Sequence, residues 1–218
     1  MSIVIMQQTI AANDAISKDV TGMLSVLQDK AECRVYCDYS FIPGINSISK
    51  KDLEDMLSSS DNIVIYHHSL YWKSGGDLLK KAKCKIVFKY HNITPPGYFR
   101  HYDEKYFRFC TLGLKQTERF LIDYPEALWV GDSQFNISGI QGSRTEVCPP
   151  FNGVEELACQ QPEPRLLERL KNDKRVKLLF VGRYAPNKGH KLLIDIVKTY
   201  VSIYGDDICL YMIGKKDR

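Results

Sequence analysis

The chain has 218 residues, with 30 Lys and Arg against 26 Asp and Glu, and 44% of it is hydrophobic. That balance excludes a disordered chain, a collagen-like repeat and a coiled coil, and a net charge of +4 is too weak for the basic stripe of a nucleic-acid binder. Seven cysteines with no C-x-x-C pair read as reduced thiols rather than a zinc or redox site, residues 1–5 are too short for a leader, and no run reaches the roughly 20 apolar residues of a membrane span, so a cytoplasmic protein is expected.

Short apolar runs at residues 3–6, 34–37, 63–66, 85–88 and 127–130 alternate with amphipathic stretches. Near-continuous β-branched runs of this length suit strands buried on both faces. Between them, Ile16, Val20, Met23, Leu24 and Leu27 share one helical face, and Leu53, Met56 and Leu57 share another. Tyr106, Phe109, Cys110, Gly113, Leu114 and Thr117 run down a third. A strand–helix alternation of this kind predicts a parallel sheet wrapped by helices. Ser133 is placed to cap a short helix over residues 134–140. Cys148-Pro149-Pro150 breaks the pattern, and residues 151–164 read as a linker or hinge. A short helix over 166–171 follows, then a second strand–helix–strand unit at 177–181, 191–204 and 208–213. The expected architecture is α/β: a Rossmann-like doubly wound domain over residues 1–160, a hinge and short helix over 161–174, and the first βαβ of a second, incomplete Rossmann-like domain over 175–218.

Three loops could carry chemistry. In Phe180-Val181-Gly182-Arg183-Tyr184-Ala185-Pro186-Asn187-Lys188-Gly189-His190, a strand ends at Gly182, two cations follow five residues apart, and a helix begins near Gly189. Anions bind at such helix entries, where free N–H groups and the helix dipole favour negative charge. Arg183 could grip a diphosphate through its planar fork and Lys188 as a point charge. The same spacing also fits a solvated basic turn. Tyr90-His91-Asn92-Ile93-Thr94-Pro95-Pro96 leaves a strand at the carboxyl edge of the sheet, where open α/β sheets bind ligands. His67-His68 leaves the preceding strand on the same edge, with no Cys or carboxylate beside it at metal-ligand spacing. Residues 7–15 form the loop after the first strand. Small residues there permit close backbone approach, and Asn13 or Asp14 can cap the next helix. The chain has no G-x-G-x-x-G, G-x-x-x-x-G-K-[ST] or G-x-S-x-G, which argues against a dinucleotide dehydrogenase, a P-loop ATPase and an α/β-hydrolase. Aromatic and basic residues interleave from Tyr98 to Arg108, a pattern open to a membrane-surface patch or to a helix with one buried face.

Taken in order, these segments resemble the GT-B retaining glycosyltransferases, specifically glycosyltransferase family 4 of the bacterial polysaccharide type. Leu179 through Gly189 is similar to that family's donor-diphosphate loop, and Tyr90-His91-Asn92-Ile93-Thr94-Pro95 to its histidine-bearing loop. Asn13-Asp14-Ala15-Ile16-Ser17-Lys18-Asp19 is similar to its first loop, with Asn13 where Gly is usual. Asp132-Ser133-Gln134-Phe135-Asn136 resembles the strand-to-helix junction near the end of its first domain.

The resemblance implies transfer of a sugar from a nucleotide-diphosphate-sugar to a saccharide or lipid-linked acceptor with retention, in cell-surface polysaccharide synthesis such as that of lipopolysaccharide. By carry-over, Arg183 and Lys188 stabilise the departing diphosphate beside Gly182. His91 contacts sugar hydroxyls or shapes the reaction centre, and Ala12, Asn13 and Asp14 lie between donor and acceptor. Asn92, Thr94 and Tyr98 fall on the acceptor side. No metal and no cofactor are expected, since the chain lacks Asp-x-Asp and the fold normally needs none. The family's E-x7-E motif is missing after the Arg/Lys loop; Glu118 with Glu126 and Glu155 with Glu163 have the spacing but precede it. The expectation is therefore a truncated enzyme, inactive alone, with self-association through its incomplete second domain and peripheral contact at the inner membrane face. A catalytically incomplete fragment and another nucleotide-binding Rossmann protein stay open as alternatives.

Overall fold

The run Ile3-Val4-Ile5-Met6 lies in β1 (Ser2–Met6), and all four side chains are buried, as a strand covered on both faces requires. The structure is a computed structural model that describes residues 1–214; the last four residues of the expected 175–218 segment lie outside the described residues. After β1 come the two-residue strand β2 (Thr9–Ile10), α1 (Ala15–Leu27), β3 (Glu32–Tyr36), β4 (Tyr39–Ser40) and α2 (Lys50–Leu57). Next are β5 (Ile63–His68), α3 (Lys73–Leu79), β6 (Lys85–Tyr90), α4 (Glu104–Asp123), β7 (Leu128–Gly131), α5 (Gln134–Ile137) and β8 (Arg144–Val147). The remaining elements are α6 (Val154–Ala158), α7 (Pro164–Asn172), β9 (Val176–Val181), α8 (His190–Tyr204) and β10 (Ile208–Ile213).

Six strands form one parallel sheet in the order β3-β1-β5-β6-β7-β8, so the α/β reading holds. The chain runs outward from β1 to β3 and returns across β1 to β5. The order therefore reverses between β1 and β5, and ligands of open α/β sheets bind at the carboxyl end of such a switch point. One face of the sheet buries Ile5 and Val35 with Val20 of α1, and Met23, Leu24 and Leu27 pack against them. The other is aromatic: Tyr66, Phe88 and Trp129 are register partners on β5, β6 and β7, with ring centroids 5.8 and 4.4 Å apart, and Phe120 of α4 stacks on Phe88 at 4.9 Å. Each such aromatic contact adds about 0.5–1.5 kcal/mol beyond area burial.

Local chemistry sets the helix starts. Asp14 accepts the Ser17 N–H to cap α1, Ser49 and Asp52 form a reciprocal capping box on α2, and Ser133 caps α5. Gly113 lets α4 approach the main chain at Leu70 and Tyr71, since a Cβ there would lie 3.0 Å from the Tyr71 nitrogen. The sequence pattern missed several short elements. Helix α5 stops at Ile137 rather than residue 140, and the 151–164 stretch contains α6. Helix α3, with Gly75 and Gly76, lacks a strong amphipathic period, and β8 alternates without an apolar run.

The chain divides into two compact units. Residues Met1–Pro95 with Arg108–Val154 form the first, and Pro96–Phe107 with Glu155–Arg218 form the second. In the second unit β9 and β10 pair in parallel, crossed over by α8. Glu163, half of one E-x7-E coincidence, caps α7 by accepting the Arg165 and Leu166 N–H groups.

Candidate functional site

Strand pleating separates the adjacent histidines of β5. His68 shares a face with Tyr66 and is buried against α4, its Nε2 2.8 Å from Thr117 Oγ1. His67 projects to the α1 face, where Lys89 is its register partner on β6. His91 has the same parity as Lys89 and follows it to that face. Asp19 reaches the site from the second turn of α1, and Asp132 from just beyond β7. Five ionisable side chains thus meet at the carboxyl end of β5, β6 and β7, beside the switch point.

Lys89 is fully buried, and its Nζ lies 2.6 Å from Asp132 Oδ1 while also donating to the Cys148 carbonyl. Asp132 Oδ2 lies 2.9 Å from His91 Nδ1, and His91 Nε2 lies 2.8 Å from His67 Nδ1, the two rings stacked at 5.0 Å. Because a carboxylate only accepts, His91 Nδ1 carries the proton shared with Asp132. Asp19 Oδ1 accepts the Phe151 N–H at 2.9 Å. Its Oδ2 lies 3.8 Å from Lys89 Nζ, 3.8 Å from His91 Nε2 and 4.0 Å from His67 Nδ1, and accepts no hydrogen bond among the described residues. The Phe151 ring packs against α1 at Gly22, where a Cβ would strike it.

Burial decides the protonation balance. It pushes Asp19 up despite the Phe151 N–H and the Lys89 and His91 charges. It pushes His67 well below the usual imidazole range, and His68 down to about 3, in both cases with His91 adding to the effect. Asp132 feels the same burial, but hydrogen bonds from His91 and Lys89 overcome it and lower its pKa. One ligand atom each from Asp19, His67 and His91 falls within 4.8 Å of the others, so these three could hold a metal ion.

Of the residues singled out from sequence, His91 belongs to this cluster. Asp14 caps α1, and its carboxylate also takes the Ser17 hydroxyl at 2.8 Å, while Ser17 Oγ accepts the Ala11 N–H. Asn13, in the left-handed conformation at φ 61°, and Ala12 are exposed in the same loop. Asn92, at φ 62°, accepts the Ile93 N–H with its own side chain, and Thr94 is half-buried. Tyr98 is exposed and lies in the second unit, where Phe99 is buried against Tyr106 and the Arg100 guanidinium sits 5.6 Å from the Phe107 ring centre. Gly182, Arg183 and Lys188 also belong to the second unit. Arg183 and Lys188 are exposed on the loop between β9 and α8, and a single turn at Pro186–Lys188 leads through Gly189, at φ 69°, into α8. The sequence places His67 on this edge without a ligand partner, and it assigns no role to Asp19, Lys89 or Asp132. Their signal was parity: His67, Lys89 and His91 lie at matching pleat positions of neighbouring strands.

No protein-family model matches the chain, and no curated protein matches it. Solved structures do. Trehalose-6-phosphate from E. coli bound with UDP-2-fluoro glucose superposes with a TM-score of 0.62 at 14% identity, covering 100% of this chain and 65% of that one. The OtsA apo structure gives 0.59 at 13% identity, covering 98% and 65%. The chain thus spans 65% of the length of the structures it matches, and what the likeness establishes is a shared fold.

Proposed function

We propose that the chain is a nucleotide-sugar glycosyltransferase of GT-B architecture, moving a sugar to a saccharide or lipid-linked acceptor with retention in cell-surface polysaccharide synthesis. The observation that carries this reading is the β9–α8 entry, where Arg183 and Lys188 are exposed ahead of a 15-residue helix. Support comes from the fold likeness, along the entire chain, to a protein bound with UDP-2-fluoro glucose. The family 4 resemblance of the loops adds the retaining chemistry, the acceptor class and the cytoplasmic face of the membrane. No helix among the described residues is long and apolar enough to cross a membrane.

In this mechanism Arg183 and Lys188 offset the charge that grows on the leaving diphosphate, with electrostatics fixed in place before the reaction. The Ala12–Asp14 loop, held by the Asp14 cap, lies between donor and acceptor. Both ring nitrogens of His91 are engaged by Asp132 and His67, which favours a role in shaping the reaction centre over direct hydrogen bonding to sugar. By the family resemblance alone, Asn92, Thr94 and Tyr98 are acceptor-side residues. Self-association through the second unit belongs to the same proposal, since Leu179 and Val181 of β9 and Leu192 and Ile203 of α8 are exposed apolar side chains.

Calorimetric titration with UDP and GDP, paired with an assay for sugar transfer, tests the reading. Binding of one nucleotide that Arg183→Ala and Lys188→Ala both weaken is expected. Absence of binding to either nucleotide would overturn it.

A further inference from the structure

The transferase reading leaves most of the buried cluster unexplained. It contains two carboxylates and one ammonium, and the ammonium of Lys89 is committed to Asp132 at 2.6 Å. Asp19 is fully buried, with one oxygen on the Phe151 N–H and the other accepting nothing among the described residues. A carboxylate oxygen out of water with no donor is costly. A proton alone does not resolve it, because the nearest imidazole nitrogens are 3.8 and 4.0 Å away, beyond hydrogen-bond reach.

The surrounding donors are already arranged for a different occupant. Asp132 accepts a hydrogen bond from His91 Nδ1–H, which turns the Nε2 lone pair inward. Metal-ligating imidazoles are oriented by a carboxylate in this way. His91 Nε2, His67 Nδ1 and Asp19 Oδ2 are separated by 2.8, 3.8 and 4.0 Å. A point in their plane equidistant from all three sits at the roughly 2.0–2.2 Å typical of zinc bonds to nitrogen and oxygen. We propose that Asp19, His67 and His91 bind one divalent transition-metal ion of the zinc class, leaving a fourth coordination position open.

Two neutral imidazoles and a carboxylate are a donor set that suits zinc and its neighbours better than magnesium or calcium. Without metal, the 2.8 Å contact is held by the His67 Nδ1 proton donated to His91 Nε2. Metal binding moves that proton to His67 Nε2, which has no hydrogen-bond partner among the described residues. Two carboxylates and one ammonium sum to one negative charge; a divalent ion makes the sum one positive, and hydroxide or a substrate oxyanion in the fourth position brings it to zero. Lys89, 3.8 Å from Asp19 Oδ2, opposes the ion and limits its affinity. The family resemblance implied no metal, and the donor set includes neither Arg183 nor Lys188, so the proposal does not depend on the transferase reading.

The test uses the full chain, stripped with a chelator, in a Cys148→Ser, Cys159→Ser background that removes the exposed thiols. Titration with Co2+ and Zn2+ is expected to give one ion per chain, visible Co2+ bands of low coordination number without a thiolate charge-transfer band, and a higher thermal midpoint with Zn2+. Asp19→Asn and His67→Gln should each weaken binding at least tenfold, while His101→Gln, at an exposed histidine, leaves it unchanged. Should those variants fail to fold, the 15N shifts of the His67 and His91 rings in the unsubstituted protein decide: they move on adding Zn2+. Unmoved shifts, binding no tighter than millimolar, or binding indifferent to both substitutions in folded variants would overturn the proposal. Since no nucleotide or sugar enters the experiment, its failure leaves the transferase reading as it stands.

Discussion

The two units handle charge in opposite ways. In the first, Lys89, Asp19, His67 and His91 are withdrawn from water beneath the carboxyl edge of a six-stranded sheet, each within 4.0 Å of an opposite or titratable partner. In the second, Arg183 and Lys188 stand exposed on one loop above a two-stranded sheet. A buried charge must be balanced inside the protein and so couples to stability. An exposed charge keeps its hydration and contributes little to stability. The comparison can be broken by showing that a substitution in one region behaves like one in the other.

The largest effect belongs to Lys89→Met. It removes the buried ammonium that lies 2.6 Å from Asp132 and 3.8 Å from Asp19. Breaking one side of a buried ion pair costs about 3–5 kcal/mol. Urea denaturation monitored by tryptophan fluorescence should show a loss of that size. A change under about 1 kcal/mol would mean that the cluster is not charged as described.

Arg183→Ala should do the reverse. Stability should stay within about 0.5 kcal/mol, as for exposed positions generally. Nucleotide affinity should fall about 10- to 100-fold, the cost of a hydrogen bond to a charged group at about 1.5–3 kcal/mol. Equal binding of UDP or GDP by both proteins would detach the diphosphate from this loop.

What could be read before the structure follows the same division. The strands, the α1 and α4 faces and the β9–α8 entry are local: apolar period, cap residue and glycine position fix them within a dozen residues. His91 stood out because it leaves a strand beside Asn92 and Pro95. In the sequence Asp19 is only the last residue of the family-like first loop, and Lys89 only the residue after the apolar run 85–88. Only the register of β5 against β6 and the crossing of α1 over that edge bring them together. Pairing register is a long-range property that no local window contains. The His67-His68 pair has no Cys or carboxylate at metal-ligand spacing because the groups His67 meets, Asp19 and His91, lie 48 and 24 residues away in sequence.

A third prediction concerns acid. His68 has a folded pKa near 3 against an ordinary 6.5, because burial penalises its cation. Below pH 6.5 the unfolded chain takes up a proton that the folded chain refuses, so stability is complete above that value and declines on acidification. The loss at pH 5.5 relative to pH 7.5 is about 1.4 kcal/mol for this one group. His67 is shifted the same way, Asp132 adds to the loss only below the ordinary carboxylate range, and the raised Asp19 works against it. Denaturation curves at the two pH values should differ by about 1.4 kcal/mol less in His68→Gln than in the parent. Parallel pH profiles would show that His68 accepts its proton without unfolding.

The smallest effect distinguishes the regions at their helix starts. Asp14 caps α1 through the Ser17 N–H and also holds the Ser17 hydroxyl, which in turn accepts the Ala11 N–H. Glu163 caps α7 through the Arg165 and Leu166 N–H groups, on a helix with no buried residue. Removing an N-cap costs about 1 kcal/mol in either setting. The consequences should nonetheless diverge, because Asp14 also ties the 11–17 loop, with its left-handed Asn13, to a helix whose next turn carries Asp19. Asp14→Ala should therefore lower global stability by about 1 kcal/mol and raise amide exchange at Ala11 and Ser17 together. Glu163→Ala should speed exchange only at Arg165 and Leu166, with the global midpoint unchanged. If the Asp14 variant confines its effect in the same way, the cap and the buried site of the first unit are independent, and the loop is free to move without disturbing the charges beneath it.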